Sequence, residues 1–167
     1  MSKKLIALTI AAMLAGLPSP ALSQANCRSS TELQAIAVRM LTTELMVAAL
    51  GCSGTTEDSF RSRYGSFVQK FNPELVRNGS ELKSQYARRG GESRMNMMVT
   101  QLANLAEQRR RSDPNFCVVN DQRLNVGLAP ATTSVFQVPL SEDYYTGALG
   151  IRDCSTPKAA ASPANKK

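Results

Sequence analysis

The stretch Tyr64–Tyr86, "YGSFVQKFNPELVRNGSELKSQY", decides how this chain folds, because Pro73 stands in the middle of it. Phe60, Tyr64, Phe67, Phe71, Leu75, Leu82 and Tyr86 recur in steps of three and four, the period of one helix face. The phase carries across Pro73, and only Asn78-Gly79 lacks a large apolar residue. An interior proline removes a hydrogen bond and clashes with the preceding turn at about 3 kcal/mol. One reading is therefore a stop at Phe71, with Asn72 as N-cap and Pro73 at the first position of a new helix. The other, favoured by the unbroken phase, is one long kinked helix that starts near Thr55, where Thr55 and Asp58 fit a capping box. Arg63, Lys70, Glu74, Arg77, Glu81 and Arg88 follow the opposite side. Their i,i+4 pairs contribute only tenths of a kcal/mol, as on an ordinary solvated face.

A first helix is expected over about Thr31–Leu50. Ser29 and Glu32 form a capping box, and Leu33, Ile36, Ala37, Met40, Leu41, Val47, Ala48 and Leu50 make a broad apolar stripe. Its end, "LMVAALG", is apolar nearly all round, the mark of a buried central helix, and Gly51 supplies a left-handed cap. Glu44 is the one notable acid on it, read as lying on the polar edge with Arg39 and Thr43. Gly90-Gly91 end the second segment, and a third helix covers Glu92 to about Arg111. After Asp113-Pro114, read as N-cap and first helical position, a short helix carries Phe116, Cys117 and Val118–Leu124. From Asn125 to about Asp153 the pattern is mixed. "SVFQVPL" looks extended, with Pro139 excluding a central strand, and the segment is read as an irregular arm over the helices.

The ends place the chain outside the cytoplasm. Lys3 and Lys4, the apolar run Leu5–Leu17, and Ser23 and Ala25 at cleavage spacing make residues 1–25 a secretory signal peptide. The run is shorter than the roughly 20 residues a spanning helix needs. Asn26 before Cys27 argues against a lipoprotein. "STPKAAASPANKK" has little to bury and reads as a disordered tail over 155–167. The expectation is an all-α, disulfide-stapled small antiparallel bundle over 26–124 with an arm over 125–154, located in the periplasm or secreted.

Four cysteines remain after cleavage, which in an exported chain reads as two disulfides. The first helix holds its ends about 30 Å apart. Cys27 and Cys52 flank it and cannot meet, since bridged Cα atoms lie within about 7 Å. If the Pro73 segment is continuous, the bundle runs up-down-up, Cys117 meets Cys52, and Cys27 pairs with Cys154. If Pro73 reverses the chain, Cys117 meets Cys27. Continuity favours the first pairing.

Charge is segregated. The formal +7 falls to +5 without Lys3 and Lys4, and to +2 without the tail lysines. Arg61–Arg111 holds eleven Arg or Lys against four Asp or Glu, whereas 26–60 carries −2 and 112–153 carries −3. Arg63, Lys70, Arg77, Arg88, Arg89, Arg109, Arg110 and Arg111 are the candidate polyanion contacts, for anionic lipid rather than a specific nucleic acid. Neutralisation of this middle by the acidic ends is the competing reading. Arg109–Arg111 fan around their helix at about 100° intervals and sit in its last turn, where cations favour the helix dipole. In "RMNMMV" (Arg94–Val99), Met95 and Met98 share a face, while Met97 lies about 100° from Met98. Two thioethers make a copper(I) alternative, set against their common use as core filler.

No histidine, nucleophile elbow or phosphate-binding loop is present. Glu44, Tyr64 and Tyr86 are the only acid/base candidates, and nothing singles them out. "LQAIAVRMLTTELMVAALGC", the Tyr64–Tyr86 stretch, "VTQLANLAEQRR" and "FC" together are similar to a group of small exported alphaproteobacterial proteins, generally without an assigned function, over about residues 33–117. The resemblance implies a helical domain with Cys52 and Cys117 paired, and brings no catalytic residue or ligand. The expected function is a non-catalytic exported module, without cofactor, that binds an envelope component or a periplasmic partner protein. Basic-face binding to anionic lipid is the alternative.

Overall fold

A computed structural model of the chain describes residues 27–52, 59–140 and 142–155. The signal peptide expected at 1–25, the Thr55/Asp58 box and the tail expected beyond Ser155 lie outside these residues; the helix expected from near Thr55 begins at Phe60, with Ser59 as its N-cap. The fold is all-α: α1 Ser30–Gly51, α2 Phe60–Lys70, α3 Asn72–Ala87, α4 Gly91–Ser112, α5 Phe116–Leu128 and α6 Glu142–Leu149. Cys27–Arg28 (β1) and Arg152–Asp153 (β2) form a two-residue parallel clasp.

The Ser29 capping box opens α1: Ser29 Oγ accepts from Glu32 N at 3.3 Å, and Glu32 Oε2 accepts from Ser29 N at 2.8 Å. The helix is apolar on most sides because it lies between two parts of the core. Ile36, Met40 and Ala48 pack with Leu82 and Tyr86 of α3, Leu102 of α4 and Tyr145 of α6. Val38, Leu41 and Leu45 pack with Phe67, Phe71 and Leu124, and with Val135 and Val138 beyond α5. α1 is long and apolar enough to cross a membrane, yet it is the central helix of the bundle, as its composition predicts.

The single helix favoured across Pro73 is interrupted, with Phe71 and not Asn72 as the N-cap of the second part, yet the chain does not reverse. One residue, Phe71, separates α2 from α3, with φ −101° and ψ 12°. Its carbonyl accepts from both Glu74 N and Leu75 N at 3.0 Å, which ties the two helices across the missing proline N–H. α2 and α3 descend along α1 together, since Asn78 Nδ2 donates to Ala35 O at 2.9 Å and Arg89 reaches Glu32. Gly90 and Gly91, at φ 104° and 71°, reverse the chain into α4. The end of α4 then returns to the end of α1, and Cys52 pairs with Cys117, while Cys27 pairs with Cys154.

Several local expectations are corrected. Gly51 is the last residue of α1 and not a left-handed cap; the chain leaves through Cys52 in extended conformation. Its missing side chain lets the Arg110 stem lie where a Cβ would come within 2.5 Å of Cδ. Leu50, placed on the apolar stripe, is 71% exposed and stands one turn beyond Met46, itself 39% exposed, on the outer face of α1. Asp113 caps the turn before α5, with Oδ1 accepting from Asn115 N at 2.9 Å, and the helix begins two residues later than Pro114. α5 also runs on to Leu128. The arm is more ordered than its composition suggests: "SVFQVPL" contains a 3-10 turn, Val135–Gln137, closed by a Ser134/Gln137 capping box, and α6 follows. Glu74 anchors this turn, accepting from Ser134 Oγ at 2.7 Å and Val135 N at 3.2 Å.

Candidate functional site

The basic residues of the middle segment are placed mainly by partners within the fold. Arg63 pairs with Asp121 and donates to Asn125 Oδ1 at 2.6 Å. Lys70 donates to the carbonyls of Gly127 and Ala129 at 2.9 and 2.7 Å, closing the end of α5. Arg110 and Arg111 pair with Glu107, whose carboxyl Arg110 holds below the usual range. Arg77 and Arg88 are exposed and make no ion pair among the described residues. Six of the eight candidates lie on α2, α3 and α4, and Arg88 and Arg89 in the turn that follows α3.

At the centre, Glu44 departs from its expected place. It is completely buried and faces two arginines. Arg109 Nη1 of α4 meets Glu44 Oε1 at 2.5 Å, and Arg123 Nη1 of α5 bonds the other oxygen. Arg123 also donates to Pro139 O at 3.0 Å and Asn120 Oδ1 at 3.1 Å, and Arg109 to Asp113 Oδ2 at 3.2 Å. Burial lowers the Arg109 pKa, but the charges of Glu44 and Asp113 outweigh it and leave it raised. The polar edge predicted for Glu44 faces protein, since α4 and α5 cover that side of α1. The triad joins three helices and, through Pro139, the arm, and both oxygens of the carboxylate are committed to the scaffold.

The other acid/base candidates are apart from it. Tyr64 is half-buried; burial raises its phenol, against the lowering charge of Arg39. Tyr86 is buried in the core and borders a cleft of about 470 Å³. Pockets that hold small molecules span about 300–1,000 Å³.

This cleft lies where α1 and α4 begin. Three arginines line it from three places in the sequence: Arg28 from β1, Arg89 from the turn after α3 and Arg94 from the first turn of α4. Arg89 donates to Glu32 through Nε at 2.9 Å and Nη2 at 3.3 Å. Burial raises the Glu32 carboxyl, and the Ser29 N–H and Arg89 outweigh it, so the carboxyl stays below its ordinary range. Glu32 answers Arg89, and Arg28 and Arg94 bring two further guanidinium groups to the same cleft. Arg94 bonds no carboxylate among the described residues; its stem folds over Gly90, where a Cβ would meet its Cγ at 2.7 Å. α4 has no side-chain cap, so its positive dipole end adds to the same field.

The rest of the lining is apolar apart from Gln101 and the Tyr86 phenol. Ile36 of α1 and Met98 of α4 contribute to the floor, and Leu149 and Ile151 come from the α6–β2 strap. That strap is held by the Cys27–Cys154 bridge and by Cys154 N donating to Arg28 O at 2.9 Å. Met98 is buried in the core with Met95 packed against it, so both thioethers serve in packing. Met97 is 52% exposed at the cleft. Sequence reasoning singled out Arg89 but missed Arg28 and Arg94, which lie 61 and five residues from it and converge only through the clasp and the Gly-Gly turn. The up-down-up topology, which puts the starts of α1 and α4 and the turn after α3 at one pole, was the available signal. Comparison with protein-family models, curated proteins and solved structures finds no match, so the reading of this cleft stands on its geometry.

Proposed function

We propose that the chain is an exported, non-catalytic helical module, periplasmic or secreted, and that the arginine-lined cleft binds an anionic component of the envelope. One observation carries the reading: Arg28, Arg89 and Arg94 from three separate elements meet at an open, part-apolar cavity. Guanidinium groups are suited to carboxylate and phosphate because their donors form a fixed planar fork. Two disulfides suit an oxidising compartment. The absence of histidine and the commitment of Glu44 to the scaffold favour binding over catalysis.

A photo-crosslinking amino acid at position 97, on the cleft, and at position 76, exposed on α3, tests this in envelope extract. Adducts with anionic species are expected at 97 and not at 76. They are expected to weaken at high salt and to be lost in the Arg28→Gln/Arg94→Gln variant. Equal yields at both positions would reject the cleft. Loss of binding in Arg77→Gln/Arg88→Gln but not in the cleft variant would instead place recognition on the exposed basic face.

A further inference from the structure

We infer that the ligand of this cleft is an amphiphile with one anionic headgroup and one alkyl chain, a claim that rests on the cleft being an anion site and adds the chain. The lining changes character along its length. Arg89 and Arg94 flank the Gly90-Gly91 turn, and Arg28 precedes α1, so the positive charge gathers at the pole where α1 and α4 start. Along α4, Met98 and Gln101 stand four and seven residues beyond Arg94, which carries the lining about 6 and 10 Å away from the pole. Over that distance it is mainly apolar, with Ile36 on one side and Leu149 and Ile151 of the strap on another.

A small hydrophilic anion would use the arginines and leave this surface wet. A neutral hydrocarbon would use the apolar lining and leave the Arg94 guanidinium, which bonds no carboxylate among the described residues, without an acceptor from the ligand. An anionic amphiphile satisfies both ends. Its headgroup meets the Arg94 guanidinium and the edge of Arg89 turned away from Glu32, and its chain runs beneath the strap. A fatty carboxylate and a monoacyl phosphate share this chemistry.

Isothermal titration of the oxidised protein with acetate, octanoate, dodecanoate, dodecyl phosphate and dodecanol, each below its aggregation concentration, tests the claim. Affinity should rise two- to fourfold per methylene from octanoate to dodecanoate, the increment of a chain leaving water. Dodecanol should bind at least tenfold more weakly than dodecanoate. Arg94→Gln, an exposed position whose replacement leaves the core intact, should remove most of that difference. Tighter binding of dodecyl phosphate would support the inference and mark the headgroup as phosphate; tighter binding of dodecanoate would mark it as carboxylate. Acetate, octanoate and dodecanoate binding alike would overturn the alkyl-chain claim while the anion site stands. Dodecanol binding as well as dodecanoate would overturn it by showing a merely greasy surface. No binding by any anion would overturn both the claim and the anion site beneath it.

Discussion

Replacing Glu44 with Gln tests whether the buried triad organises the bundle. The glutamine side chain has nearly the same shape, so packing is preserved and the charge alone is removed. The Glu44 side chain is 1% exposed, Arg123 is 7% and Arg109 is 15%, so water reaches none of the three well. Two guanidinium groups would then share one neutral oxygen, and the new amide N–H groups would point at donors. Leaving a buried charge uncompensated costs about 3–5 kcal/mol. In a domain of this size one kcal/mol moves Tm by about 3–5 °C, so a fall of about 10–20 °C is expected. Urea denaturation and thermal melting followed by far-ultraviolet circular dichroism, with both disulfides intact, measure it. Glu107→Gln, which breaks a solvent-exposed cluster, should leave the transition in place. Replacing the whole triad, Glu44→Leu with Arg109→Met and Arg123→Met, should recover most of the loss, because buried ion pairs contribute little net stability over apolar packing. A loss under about 1 kcal/mol in Glu44→Gln would refute the reasoning, since it would mean that water or backbone relaxation solvates the two arginines.

Three further outcomes are expected. Gly127→Ala should destabilise by about 1–3 kcal/mol, because its Cβ would come within 2.6 Å of the fully buried Phe67 ring, while Gly79→Ala, facing open space within α3, should stabilise by about 0.5–1 kcal/mol; paired urea titrations compare them. Glu32 has a carboxyl pKa below its ordinary 4.5, so it stabilises the fold at neutral pH and that contribution disappears as pH falls through the depressed value. The stability difference between wild type and Glu32→Gln should accordingly be constant above about pH 5, close below 4.5 and shrink with added salt. Removing Cys52–Cys117 or Cys27–Cys154 as Ser pairs should cost roughly 4 and 5 kcal/mol on the chain-entropy model, for sequence separations of 65 and 127; equal losses well under 2 kcal/mol in equilibrium unfolding would contradict that ordering.

Much of the architecture is legible one residue at a time. A residue's place on a helix face depends on its neighbours three and four positions away, so α1, the paired α2–α3 segment and α4 follow from apolar period, capping boxes and glycine pairs. The same reasoning reaches the disulfides, because helix length forbids Cys27–Cys52 and an unbroken phase across Pro73 brings Cys117 to Cys52. It fails where burial is polar. In α5 the buried positions Phe116, Asn120, Arg123, Leu124 and Gly127 keep the helical step, yet three of the five are not large apolar residues, so the period is hidden. The Ser134/Gln137 box fits a pattern already used to read α1 and was legible; the extended look of "SVFQVPL" obscured it.

The sequence by itself determined the helical character and order of the segments up to α5 and the charge available, and favoured the bridges, while α6 and the break at Phe71 were not read from it. Only the tertiary structure decided which charges are used and where. Glu44 looks like an edge residue on its own helix, and becomes the buried partner of Arg109 and Arg123 because α4 and α5 cover that edge. Arg28, Arg89 and Arg94 come together because the clasp and the Gly-Gly turn return distant segments to one pole. Local interactions act within a turn or two of helix, whereas electrostatic partnership depends on distance in space, which only the packed chain sets.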